Sequence, residues 1–179
     1  MKKKIYIFIS ILLLLTLFGC DMNPTPKKKV EVLLSDYQKH NEVITSELDD
    51  YLKTLTTDDN IYLEYKKVYL RQYEDLTYEI KDETIDGDYA TVTAQIDVYD
   101  YYKVDLDASN YITNNPIEFS NDGIYDANKG MLYRIDALSK TDERVTYTIT
   151  INLTKVNNDW TIDNLTNEDL EKIHGTYAH

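Results

Sequence analysis

Leu76 to Tyr102 reads LTYEIKDETIDGDYATVTAQIDVYDYY, and its periodicity decides the fold. Leu76, Tyr78 and Ile80 alternate with Thr77, Glu79 and Lys81; Ala90, Val92, Ala94, Ile96 and Val98 alternate with Thr91, Thr93, Gln95, Asp97 and Tyr99. A period of two sends successive side chains to opposite faces, so each run is a strand with one apolar face. Asp86-Gly87-Asp88 between them is turn chemistry, and the segment is an antiparallel hairpin. Its acidic stretch from Asp82 superficially suggests a calcium loop. The twelfth position from Asp82 is Thr93 rather than glutamate, and strands flank it, so the hairpin turn accounts for it better.

Toward the C-terminus the same pattern returns. Val145, Tyr147, Ile149, Ile151 and Leu153 alternate with mostly threonine, Asn157-Asn158-Asp159 turns the chain, and Trp160 and Ile162 continue inward. Thr166 or Asn167 caps a short helix carrying Leu170 and Ile173 that ends at Gly175. Toward the N-terminus the period lengthens. Val30, Leu34, Tyr37, Asn41, Ile44, Leu48, Tyr51 and Leu55 follow steps of three and four, which predicts one long amphipathic helix over about residues 28–56. A coiled coil is disfavoured by Asn41 and by the stop at Thr56-Thr57-Asp58. Asp58 or Asp59 caps a second helix bearing Ile61, Tyr62, Tyr65, Val68, Tyr69 and Tyr73. Residues 102–142 form a helical insertion between the hairpins: Tyr111 and Ile112 suggest a short helix before Pro116, and Met131, Leu132, Ile135 and Leu138 another after a turn at Asn121-Asp122-Gly123. The expected class is α+β: long N-terminal helices packed on a curved antiparallel sheet of about four strands. A domain over residues 30–179 buries roughly 68–70% of its unfolded surface, enough to stand alone as a monomer.

The first residues are of another kind. Lys2, Lys3 and Lys4 precede an apolar run from Ile5 to Phe18, broken only by Ser10 and Thr16. The run is short of the about 20 residues a membrane span needs and matches the apolar region of a signal peptide. It ends Leu17-Phe18-Gly19-Cys20, which resembles a bacterial lipoprotein box, with a bulkier residue than usual at Phe18. The one cysteine of the chain stands at the one position that needs a thiol to accept a diacylglyceryl group. The alternative is an ordinary secretory signal in which Cys20 is incidental. The lipobox implies a signal peptide over 1–19, a lipidated tether over 20–29, and a protein held to the outer face of the cell membrane. Two fatty (palmitate-type) chains anchor stably where one is marginal. In the tether, Pro24 and Pro26 favour extended backbone. Lys27, Lys28 and Lys29 either touch anionic headgroups or open a helix.

The whole chain holds 19 basic and 32 acidic residues; losing the three leader lysines leaves 16 against 32, a net charge of −16. Such a balance argues against a nucleic-acid partner, whose phosphates demand a basic footprint.

With the lipobox, LTYEIKDETIDGDYATVTAQIDVYDYY over Leu76–Tyr102 and WTIDNLTNEDLEKIHGTY over Trp160–Tyr177 resemble uncharacterised lipoproteins of low-GC Gram-positive bacteria with a nuclear transport factor 2-like (cystatin-like) domain. The resemblance implies a cone of curved antiparallel sheet wrapped on helices. It implies no single chemistry, because that fold hosts isomerases, dehydratases and many non-catalytic binding modules.

No catalytic residue, cofactor or metal is assigned. Cys20 would be acylated. His40 is expected on a solvated helix face, His179 at a mobile terminus, and His174 at a helix end where its charge suits the dipole. Glu171 and His174 have the spacing of two ligands on one helical face, but the second such motif that a di-iron site needs is not evident. Nucleophile-elbow, zinc-protease and phosphate-loop motifs are missing. The sequons at Asn152 and Asn164 carry no weight in a bacterial lipoprotein. Asp97 and Asp100 are the carboxylates nearest the expected cone, Asp97 on the face opposite the apolar one. The 17 tyrosines include a helical series, Tyr62, Tyr65, Tyr69 and Tyr73, that is either an aromatic binding surface or a product of coding bias. The expected function is a membrane-anchored, non-catalytic binding or interaction module for an unknown protein or small ligand. The alternative is a carboxylate acid–base enzyme, isomerase-like, in a cone-shaped pocket. A structural role in envelope assembly is a third reading.

Overall fold

The computed structural model describes residues 23–179. Leu17, Phe18, Gly19 and Cys20 lie outside the described residues. Among the described residues the fold is α+β, with six helices and a four-stranded antiparallel sheet. Helices α1 (Pro26–Gln38), α2 (Glu42–Leu55) and α3 (Asp59–Glu74) lead into strands β1 (Thr77–Asp86) and β2 (Tyr89–Tyr99). Helix α4 (Tyr101–Asn114), a two-residue hairpin β3 (Ser120–Asn121) and β4 (Ile124–Tyr125), and helix α5 (Ala127–Lys140) form the insertion. Strands β5 (Arg144–Val156) and β6 (Asp159–Ile162) and helix α6 (Asn167–His174) complete the chain. The sheet order is β1-β2-β5-β6, so the two hairpins meet through the β2–β5 ladder.

Alternation builds one dry face. Val92, Ala94, Ile96 and Val98 of β2 and Ile149, Ile151 and Leu153 of β5 are all buried, while Thr146, Thr148 and Thr150 face water. Helix α1 packs against β1, β2 and β6, and α6 against β2, β5 and α3. Val30, Leu34, Leu48, Leu52, Tyr73 and Leu76 close the core over the sheet. A second cluster, Ile61, Val68, Tyr99, Tyr101, Ile135 and Leu138, fastens the insertion to α3.

The expected single helix over 28–56 is two helices. His40 takes a left-handed φ of 53°, and the Asn41 side chain accepts the Val43 amide as cap of α2. The break is held from outside: Gln38 Nε2 donates to the Leu76 carbonyl at 2.7 Å, and His40 Nε2 lies 3.0 Å from the Leu70 carbonyl oxygen. His40 is therefore a partly buried hinge contact rather than a solvated helix residue. At the front end Thr25 caps α1 and Pro26 opens it, so the last four residues of the 20–29 stretch belong to a helical turn. Lys29 there reaches Asp159 at 2.9 Å. Helix α4 begins ten residues before Tyr111, because Asp100 ends the strand and accepts the Lys103 amide.

Candidate functional site

Buried Gln72 ties three elements together at one end of the sheet. Its Nε2 donates to the carbonyls of Tyr99 (3.0 Å) and His174 (2.9 Å), and its Oε1 accepts the Tyr99 amide (2.8 Å). The last turn of α6 is thereby fixed, and Gly175 leaves the helix at φ 72°. A β-carbon at Gly175 would lie 2.1 Å from the Tyr99 carbonyl oxygen, so only glycine fits this approach.

What this bracing positions is the imidazole of His174. Its ring centroid lies 5.2 Å from that of Tyr51, 5.4 Å from Tyr69 and 5.8 Å from Tyr73. Burial among these rings pulls its pKa down from 6.5 to about 4, so it is neutral at pH 7, with one ring nitrogen able to donate and the other able to accept. Neither nitrogen has a hydrogen-bond partner among the described residues. The one fully sealed side-chain atom without a partner there is Asp159 Oδ1, so the imidazole nitrogens are not fully sealed, and His174 borders an open space. The helix-end dipole role expected of His174 is thus replaced by an inward-facing neutral ring. His174 points inward because Ile173 beside it is anchored in the core and α6 is clamped on the sheet.

That space is a groove of about 1140 Å³ between α1, α2 and the β6–α6 segment. Tyr37, Leu48 and Tyr73, all buried, make its base with His174. Leu33, Val43, Ile44, Ile162, Leu165 and Leu170 make apolar walls. Asp36, Glu47, Asp163 and Glu171 add carboxylates, and among the described residues no lysine or arginine lines it. Burial raises the pKa of Tyr37, Tyr69 and Tyr73, so these phenols stay neutral. A smaller cleft of about 310 Å³ lies against α4 and α5 and shares Tyr51 and Thr176 with the groove. Its charged members, Arg134 and Asp105, approach to 3.6 Å.

The tyrosine series of α3 divides between these spaces and the core instead of forming one exposed surface. Tyr69 and Tyr73 are buried, because residues four apart on α3 turn toward α2 and α6. Tyr65 lines the smaller cleft, and Tyr62 is partly buried with its hydroxyl donating to Asp49 at 2.7 Å. Burial works to raise the Asp49 pKa, but hydrogen bonds from Lys66 and Tyr62 prevail and hold it below the usual carboxylate range.

Asp97 sits on the outer face in an ion pair with Arg144 and accepts from Thr146. Asp100 caps α4 through one oxygen, and its other oxygen lies 3.3 Å from His179 Nε2. His179 also touches the Tyr147 hydroxyl, so the terminus is packed onto β5. Glu171 and His174 both border the groove. No group of three or more His, Cys, Asp or Glu among the described residues is arranged to hold a metal ion.

The groove itself was missed by sequence reading. Tyr37 and Tyr51 were visible as members of an apolar stripe, but nothing in that stripe distinguishes a groove base from core. Among the described residues, no helix is long and apolar enough to cross a membrane. No family model, curated protein or solved structure matches the chain.

Proposed function

We propose that the protein is a membrane-anchored bacterial lipoprotein whose extracytoplasmic domain is a non-catalytic binding module, with the groove between α1, α2 and α6 as its site. The observation that carries the binding role is His174: a neutral imidazole, clamped from behind through Gln72, unpartnered, and open to an apolar space. Buried polar groups normally find partners, and one left available at the base of a groove offers a ligand a directional contact. Asp97 and Asp100, the carboxylates considered for acid–base work, are occupied with Arg144 and with the α4 cap and His179. The order of helices, hairpin, insertion, hairpin and helix supports the reading of a nuclear transport factor 2-like cone of curved sheet.

The anchor reading rests on Leu17-Phe18-Gly19-Cys20. Cys20→Ser should release the protein from the membrane fraction and leave no diacylglyceryl mass on the product. Retention of the substituted protein by the membrane would overturn the lipoprotein reading. For the groove, Ile44→Trp should fill the space and abolish ligand-induced shifts of the His174 ring resonances. Shifts that persist in a folded Ile44→Trp protein would place binding elsewhere.

A further inference from the structure

Taking the groove as a binding site, we infer that it receives a small organic cation with an apolar body, an alkyl- or arylalkyl-ammonium compound. Asp36, Glu47, Asp163 and Glu171 all line the space, and none makes an ion pair among the described residues, although Asp163 accepts from Thr154 Oγ1 at 3.1 Å. On the helices that border it, Lys29 pairs with Asp159 and Lys172 with Glu168, while Lys39 at the end of α1 makes no ion pair among the described residues and does not line the groove. Thus the groove concentrates negative charge over an apolar base without supplying its own counter-charge.

An ammonium head entering this space loses water and regains carboxylate contacts and tyrosine ring faces. The accepting nitrogen of a neutral His174 takes an ammonium N–H. Leucine and isoleucine walls cover the hydrocarbon part, whose burial supplies the bulk of affinity. A carboxylate or phosphate head of the same size would meet like charge from the carboxylates that line the groove.

The test uses the full chain in phosphatidylcholine nanodiscs, with empty discs as the blank, in about 0.15 M salt so that distant charges are screened. The probes are the near-isosteric series 4-phenylbutylammonium, 4-phenylbutanol and 4-phenylbutyrate, with binding read by calorimetry and by the His174 imidazole resonances. The cation should bind at least tenfold more tightly than the alcohol, and the butyrate should not bind. Glu47→Gln with Asp163→Asn should cut the preference for cation over alcohol to under threefold. Glu74→Gln with Asp82→Asn, the same charge change at exposed positions away from the groove, should leave it intact. Alcohol or butyrate binding as tightly as the cation would overturn the charge selection while the binding site itself stands. An equal loss in the distant pair would overturn it too, as attraction to net charge alone. If none of the three moves the His174 resonances, both the cation assignment and the groove reading fall.

Discussion

The groove at α1, α2 and α6 and the smaller cleft at α4 and α5 are built from the same material and end in opposite states. Both are lined by tyrosines, and Tyr51 and Thr176 belong to both. In the cleft, Arg134 and Asp105 face each other at 3.6 Å, and Tyr101 donates its hydroxyl to the Val68 carbonyl at 3.0 Å. In the groove, among the described residues, four carboxylates lack a cation, with Asp163 bonded only to Thr154, and an imidazole lacks a partner. Aromatic content alone therefore does not mark a site in this molecule. The contrast lies in whether polar groups are satisfied by the chain itself, and that depends on which helix faces which.

The strongest way to break the contrast is to remove the pivot between the two spaces. Gly175→Ala must adopt a left-handed φ and push against the Tyr99 carbonyl and Gln72. The expected loss is about 4 kcal/mol in urea-unfolding free energy. An unchanged midpoint would mean that the α6 terminus is not braced as described. Gln72→Leu acts on the same junction from the other side. It strips partners from the Tyr99 amide and from the Tyr99 and His174 carbonyls. Roughly 3 kcal/mol should be lost, since each buried unpaired group costs about 1–3 kcal/mol. The His174 resonances should broaden or shift in the folded Gln72→Leu protein, while those of Tyr133, at the far end of the insertion, should not.

How much of this contrast the sequence carried differs by level. Strands were legible because period two in Ala90–Val98 and Val145–Leu153 is a one-dimensional signal of one dry face. Caps at Asp58 and Thr166 were legible because their chemistry is local. The α1–α2 break was not, since Tyr37, Ile44 and Leu48 keep one continuous stripe across it, and His40 gives no warning of a left-handed φ. The early start of α4 was hidden because Tyr99 and Tyr101 straddle Asp100 in strand-like alternation. The groove was least legible of all. His174 and Glu171 read as a helix end, and only the Gln72 clamp, 102 residues away in sequence, turns the imidazole inward.

The pH dependence of stability isolates the groove side. An unfolded histidine takes up its proton near 6.5, whereas folded His174 resists until about pH 4. Between those values the unfolded chain holds more protons, so stability rises with pH across the window. The contribution of neutral His174 is complete above about pH 7 and disappears as pH falls toward 4, on the order of 2 kcal/mol after allowance for its contact with groove water. His174→Phe should flatten the slope of unfolding free energy between pH 6.5 and 4, leaving the steeper loss below pH 4 that protonation of carboxylates such as Asp49 produces. A slope unaltered by His174→Phe would mean that the imidazole is not held neutral by its surroundings.

The smallest effect belongs to the cleft. Arg134→Gln removes the partner of Asp105 at 3.6 Å, with both side chains a third or more exposed. Exposed pairs are worth under about 1 kcal/mol, because water screens the attraction and two long side chains give up rotamer freedom to make it. The expected change is therefore about 0.5 kcal/mol, fading in high salt. Its larger consequence is compositional. Arg134→Gln leaves Asp105 unpaired beside Tyr65 and Tyr102 and gives the cleft, in miniature, the charge pattern of the groove. If an unpaired carboxylate over tyrosine is what recruits an ammonium compound, the Arg134→Gln cleft should gain weak affinity for 4-phenylbutylammonium, seen as shifts of the Tyr65 and Tyr102 resonances. Absence of any such shift would show that carboxylate and ring alone are insufficient, and that the unpartnered imidazole of His174 supplies what the cleft lacks.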